Sequence, residues 1–311
     1  MKIGVIDVDT THPMEWIPLE RAMGHTVVGL WDGASVHPKE YVKEFAQKFS
    51  IPRVYDRMEQ MIDDVDCVVI HGCDWDTHVA KARPFIEAGK AVLIDKPLAG
   101  NYNDLKQLCD WAKSGSRISG GSSMRVCRPT RTYFSRKIEE RGEPVTVLCG
   151  CSVDDFGYGI HAYSMLFGIL GGNAESITFL GKNSQKRIQI NYPDGRTGIV
   201  LCGKTESWTP FHATVITEKE VWQYQISGTA EAIRDLYRSF LEIELPYLSG
   251  DSDCSVAMNS LIEAELWAIC AKMSEENGGK KVLLKDVANS NISYDGHAYA
   301  TKYREAKYPK R

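Results

Sequence analysis

The first third of the chain alternates short apolar runs with amphipathic stretches. Residues 3–8 (IGVIDV), 26–31, 67–70 (CVVI) and 91–94 (AVLI) read as strands, since brief apolar runs bounded by turn residues suit strands covered on both faces, and 118–123 reads as a last strand after them. Helices are predicted between them, from the turn at Asp9 to Met23 and over 41–49, 77–88 and 102–114, with another beginning at 58–62. In the second of these Val42, Phe45, Ala46 and Phe49 form one stripe. Strands alternating with helices at this spacing describe a doubly wound, mostly parallel sheet.

Beyond residue 123 the rhythm changes. Helices are predicted over 130–140, 159–170, 230–248 and 255–276, and strands over 145–153, 176–182, 187–192, 197–204 and 211–227, the last long enough for two. Pro193-Asp194-Gly195 supplies a hairpin turn. Ile233, Leu236, Tyr237, Phe240 and Leu241 make the buried stripe of the helix over 230–248. The expectation is an α/β chain of two domains: a Rossmann-type parallel sheet over 1–123, and an α/β domain over 124–311 built on a mostly antiparallel open sheet. The tail from Lys280 is basic and rich in tyrosine, with nothing in its sequence to say where it docks.

Composition narrows the classes. A chain of 311 residues is long for one core and comfortable for two. A formal charge of −4 gives no footprint for nucleic acid or an anionic membrane. No apolar run approaches a membrane span, and the N-terminus MKIGVIDV reads as a strand rather than a signal peptide. The nine cysteines are odd in number and include no Cys-x-x-Cys pair, so they read as reduced core residues of a cytoplasmic protein.

Candidate chemistry gathers at the end of the run 91–94. Asp95-Lys96-Pro97 stops the strand, because proline lacks a donor and restricts the residue before it, and so places Lys96 at the strand's carboxyl edge. That edge is where open α/β sheets bind ligands. A lysine fixed there can hydrogen-bond a reacting oxygen; the plain alternative is a surface lysine at a strand end. Asp32 closes the second strand, about 20 residues beyond the first turn. It is either the acid that bonds an adenosine ribose 2′-hydroxyl or an acid that caps its own loop.

The order of IGVI and turn, a strand ending in Asp32, CVVI, AVLIDKP and then Gly157-Tyr158-Gly159-Ile160-His161 resembles the Gfo/Idh/MocA oxidoreductases. The likeness runs over most of the chain in element order, with its specific motifs in the first half and at 157–161. It implies a Rossmann domain, an open antiparallel sheet that mediates oligomers, and hydride transfer between NAD(P) and a sugar, polyol or related hydroxy carbon. Asp95-Lys96-Pro97 matches the family's Glu-Lys-Pro, and Gly159-Ile160-His161 its helical Gly-x-His. The Asp9-Thr10-Thr11-His12 turn and Tyr158-Gly159-Ile160-His161 are similar to those of a subgroup within it.

Other positions depart from the pattern. The three glycines of the family's phosphate turn fall on Asp7, Asp9 and His12. Carboxylates there repel a pyrophosphate, by about 1 kcal/mol each at 4 Å in water and several-fold more when partly desolvated. Asp74-Trp75 stands where Pro-Asn is usual, although His78 matches, and Gly157 replaces the aspartate one turn before His161. Catalysis is therefore assigned to Lys96, His161 and Tyr158, with His161 as base and Lys96 as the cation for the developing oxyanion. Cofactor contacts are assigned to Asp9, Thr10, Thr11, His12, Asp32, Asp74, His78, Asp95, Lys96 and Pro97, with NAD favoured over NADP by Asp32. Substrate contacts are assigned to Lys96, Arg125, Asp154, Asp155, Tyr158 and His161, and Tyr158, Asp154 or Asp155 would orient the histidine.

Two other classes stay in view. One is a regulatory ligand-binding protein that kept the fold and lost dinucleotide binding, which the missing glycines would suit. The other is a metal-assisted enzyme using Asp7, Asp9, His12, His71, Asp74, Asp76 and His78; their irregular spacing fits helix-capping loop residues better, and no metal is expected. A homodimer or homotetramer through the 176–227 sheet is expected, with a small-molecule substrate and neither nucleic acid nor membrane as partner.

Overall fold

Five strands, wholly buried in β3, β4 and β5, build the first sheet: β1 (Lys2–Ile6), β2 (Thr26–Trp31), β3 (Cys67–Ile70), β4 (Ala91–Asp95) and β5 (Ile118–Gly121). All pair in parallel, in the order β2-β1-β3-β4-β5, so every carboxyl end lies on one edge. Chain direction across the sheet reverses beside β1, the switch point at which doubly wound folds bind ligands. Helices α1 (His12–Ala22), α2 (Lys39–Lys48), α3 (His78–Glu87) and α4 (Tyr102–Lys113) connect the strands. The segment predicted as a helix from Met58 is a 3-10 helix, Met58–Asp64. The computed structural model describes residues 1–253 and 256–309.

The remaining elements are α5 (Arg128–Ser135), α6 (Ile138–Arg141), β6 (Thr146–Gly150), α7 (Ile160–Leu170), β7 (Ser176–Lys182), β8 (Lys186–Asn191), β9 (Thr197–Cys202), β10 (Phe211–Ile216), β11 (Val221–Ile226), α8 (Ala230–Ser249), α9 (Met258–Leu261), α10 (Glu263–Glu276), β12 (Val282–Leu283) and α11 (Gly296–Lys307). The second sheet runs β11-β10-β6-β9-β8-β7-β12, antiparallel except where β6 meets β9. Helix α7 lies close on this sheet: a Cβ at Gly198 of β9 would stand 2.4 Å from Leu166. The helix expected over 255–276 is two helices, while Cys254 and Ser255 lie outside the described residues.

The chain divides into two units. The first comprises Met1–Gly121, Leu241–Met258 and Asp295–Arg311, and the second Ser122–Phe240 and Asn259–Tyr294. Of the tyrosine-rich tail, the part from Asp295 returns to the unit of the parallel sheet, while the part before it stays with the second unit. No described helix is long and apolar enough to cross a membrane. The eight described cysteines are free thiols, all buried.

Candidate active site

The turn after β1 is built on buried carboxylates. Asp7 adopts φ +65°, a left-handed conformation at which glycine is at ease. Its Oδ1 accepts from the Gly33 amide at 2.9 Å, and its Oδ2 pairs with Lys81 Nζ at 2.5 Å, both side chains being buried. Asp9 is also buried, with Oδ2 accepting from the Cys73 amide at 2.9 Å and Oδ1 without a hydrogen-bond partner among the described residues. Burial, and then the charges of Asp7 and Asp32, push its pKa up to about 7. Asp32 accepts from the amides of Val8 at 2.9 Å and Ala34 at 2.7 Å, so both of its oxygens cap the local loop. Burial and Asp7 raise its pKa to about 6.

At the end of β4, Asp95 Oδ2 faces His12 Nδ1 at 2.6 Å and His71 Nδ1 at 3.1 Å, and Oδ1 accepts from the Lys96 amide at 2.8 Å. Burial opposes its charge, yet the two imidazoles hold Asp95 well below the usual carboxylate range. The backbone entering Lys96 is thereby fixed on one side by this carboxylate and on the other by Pro97, joined through a cis peptide. His78 sets its two ring nitrogens against the carbonyls of Gly72 at 2.8 Å and Leu98 at 3.2 Å, and burial lowers its pKa. Thr10 Oγ1 accepts from the His12 amide at 3.2 Å, Thr11 is the N-cap residue of α1, and Asp74 accepts from the Asp76 amide at 3.3 Å. The cofactor residues assigned from sequence therefore all belong to the carboxyl edge of one sheet. Among the described residues no three His, Cys, Asp or Glu side chains are arranged to hold a metal ion.

Helix α11 rests on the same edge, touching the loops after β1, β2 and β3. Lys307 Nζ donates to the Asp9 carbonyl at 3.1 Å and lies 3.0 Å from His37 Nε2, while Tyr308 Oη is 2.7 Å from His37 Nδ1. Ala300, Val36 and Cys73 form a buried cluster flanked by Tyr299 and Tyr303. A dinucleotide needs unengaged turn amides facing its pyrophosphate and an open crevice above the strand ends. As they stand the residues do not fit that group: the His12 amide is taken by Thr10 and three carboxylates crowd the turn, and α11 in addition covers the loops.

In the second unit, His161 is buried near the start of α7, with Nδ1 2.7 Å from Ser122 Oγ, which also accepts from the Met124 amide. The rings of Tyr158 and Phe211 meet it edge-on, each at 5.2 Å. Tyr158 Oη accepts from Trp208 Nε1 at 3.1 Å. Asp154 holds the loop before α7, accepting from the amides of Phe156 (2.9 Å), Tyr158 (2.7 Å) and Gly159 (3.3 Å). Asp155 is salt-bridged to Lys186 at 2.6 Å. Arg125 is buried with its guanidinium 5.0 Å from the Phe240 ring, on a 3-10 turn that α7 approaches closely. A Cβ at Gly168 would lie 2.1 Å from the Arg125 carbonyl oxygen. The seat of the histidine ring thus includes Ser122, a residue that sequence reasoning missed; a lone serine after a glycine pair carries no signal. Lys81 was missed likewise, being one of several lysines on polar helix positions.

A sequence profile of the Gfo/Idh/MocA family, described as an oxidoreductase family with an NAD-binding Rossmann fold, matches residues 1–120. The human trans-1,2-dihydrobenzene-1,2-diol dehydrogenase is 30% identical over 233 residues, which span 66% of this chain and 67% of that one. Among solved structures, a probable dehydrogenase from Thermotoga maritima superposes with a TM-score of 0.79 at 17% identity, covering 92% of this chain and 100% of its own. The scyllo-inositol dehydrogenase of Lactobacillus casei, with bound NAD(H) and scyllo-inositol, gives 0.76 at 12% identity, covering 92% and 99%. The two structures show a shared fold. Together with the profile match and the human relative, the parallel sheet and its Asp95-Lys96-Pro97 edge establish that the chain belongs to the Gfo/Idh/MocA family of oxidoreductases.

Proposed function

We propose that the protein is an NAD(P)-dependent dehydrogenase acting on a hydroxyl-bearing carbon of a sugar, polyol or related hydroxy compound, such as a cyclic diol. The observation that carries the reading is Lys96 at the carboxyl end of β4, its amide bonded to Asp95. Lys96 supplies a cation to the reacting oxygen, and His161 exchanges the hydroxyl proton through Nε2 while Ser122 holds Nδ1. Tyr158 adds a wall to the imidazole, and Arg125, Asp154 and Asp155 complete the proposed substrate side. Kinship with a diol dehydrogenase speaks for catalysis over the ligand-binding alternative. Asp32 keeps its role in favouring NAD, since its charge opposes a 2′-phosphate even while its oxygens hold amides.

The first domain then carries the dinucleotide and the second the substrate and the contacts between copies. Val221, Leu180 and Ile216 are exposed apolar residues of the second sheet and favour a homodimer or homotetramer through it. The free buried thiols suit a cytoplasmic setting.

The test is nicotinamide-linked turnover against a panel of polyols, aldoses and cyclic diols with both nucleotides. Lys96→Ala and His161→Ala should each lower kcat by about 10²–10⁴. The double variant should be scarcely worse, because residues acting as a unit are non-additive. Additive losses, or no turnover on any hydroxy compound by the unaltered enzyme, would refute the assignment. Light scattering tests the oligomer separately.

A further inference from the structure

We infer that α11 is a built-in occupant of the dinucleotide edge, and that the cofactor binds only to molecules in which this helix has lifted. The inference rests on the dehydrogenase reading above and explains how a turn so crowded belongs to a nucleotide-binding enzyme.

The helix is fastened at both ends and in the middle. At its start the Asp76 carboxylate accepts from the amides of Gly296 at 2.8 Å and His297 at 3.3 Å, so a loop of the parallel-sheet unit caps the helix from outside. Gly296 is required for that approach, since a Cβ there would stand 2.8 Å from the Trp75 nitrogen. In the middle, Tyr299 packs on Trp75 with ring centroids 4.9 Å apart, and Ala300 closes over Val36 and Cys73. At its end Lys307 reaches the carbonyl of Asp9, inside the turn where a pyrophosphate would lie, and Tyr308 meets His37 on the loop after β2. The helix therefore spans the positions of the pyrophosphate turn and the ribose loop together. A dinucleotide and α11 make competing use of one crevice.

The strap has a tether. Tyr294, the last residue of the second unit, is stacked on Phe156 with centroids 4.0 Å apart and donates to the Ala268 carbonyl at 3.2 Å. Lifting can then begin at Asp295 without freeing the chain before it. The seated helix lowers apparent nucleotide affinity by the fraction of molecules in which it is lifted. Loosening its fastenings should restore affinity.

Hydrogen exchange of the full chain, with and without saturating NAD or NADP, tests this together with nucleotide titration of Gly296→Ala and Lys307→Ala. Nucleotide should speed exchange of the amides of 296–307. Gly296→Ala should tighten binding by at least about tenfold, with Lys307→Ala shifting it in the same direction. Equal affinities in all three proteins, with 296–307 unchanged or better protected on binding, would overturn the inference and leave the cofactor reading intact. No binding of either nucleotide by any of the three would overturn both. The exchange experiment on the unaltered chain needs no variant to fold.

Discussion

Asp7 and Lys81 form a buried ion pair, carboxylate to ammonium at 2.5 Å, joining the turn after β1 to α3. Asp7 holds a left-handed backbone, and a cation from α3 neutralises its carboxylate. Burial alone would lower the lysine pKa, but Asp7 and the carboxylates near it raise it, so the ammonium keeps its charge. Lys81→Met should leave Asp7 buried and uncompensated, destabilising the fold by about 3–5 kcal/mol. Adding Asp7→Asn should recover much of that. Urea denaturation of the three variants measures it, and a mild effect of Lys81→Met would show that the pair contributes little.

Asp9 acts on nucleotide affinity through charge, separately from α11. With its pKa pushed up to about 7, it is partly protonated near neutrality and gains charge as the pH rises. Nucleotide binding should therefore weaken from mildly acidic to mildly alkaline buffer. Asp9→Gly should tighten binding and flatten that dependence, as read by isothermal titration. Equal or weaker binding by the variant would refute the repulsion argument.

Glu20 sets a stability profile of its own. It is fully buried in α1 with neither carboxyl oxygen hydrogen-bonded among the described residues, and burial pushes its pKa from 4.5 to about 8. The native state thus holds a proton that the unfolded chain releases, so stability falls as the pH rises from 4.5 to about 8. Glu20→Gln should flatten that fall, by on the order of a few kcal/mol at its alkaline end. Asp95, depressed by His12 and His71, works in the opposite sense: its stabilisation is present above the ordinary carboxylate pKa and lost as the pH drops through the folded one. Thermal unfolding across pH separates the two, and parallel profiles for Glu20→Gln and the parent chain would disprove the first.

Ser122 is expected to act through His161. Ser122→Ala removes the group at Nδ1 and should lower kcat on the order of tenfold, with KM nearly unchanged. The acid limb of the pH–rate profile should move with it. Ser122→Thr, which keeps the hydroxyl, should restore both. A change in KM alone would point to a packing role instead.

The parallel sheet was legible because its central strands β3 and β4 are continuous apolar runs, and Pro97 fixed where the fourth must stop. The Lys96 edge followed from the same local logic. The seat of α11 was not legible. Its contacts join residues more than two hundred positions apart, as Gly296 to Asp76, and its sequence is polar on most sides. Asp32 showed both possibilities in sequence, and only the amides of Val8 and Ala34 reveal its capping bonds. The long helix expected after residue 255 breaks near Ile262 although nothing in its apolar spacing marks the break. Ser122 was missed because its significance comes from a histidine on another element.

Burial raises the thiol pKa of Cys73, Cys149 and Cys202, so none is a ready nucleophile in the folded chain. Alkylating reagents must then wait for structural openings. Cys73 lies beneath Ala300 in the first unit, whereas Cys149 and Cys202 sit on strands β6 and β9 of the second. The order in which these sulfurs become modified is accordingly a clock with separate hands, one for the uncovering of the parallel sheet's rim and the others for the melting of the antiparallel sheet.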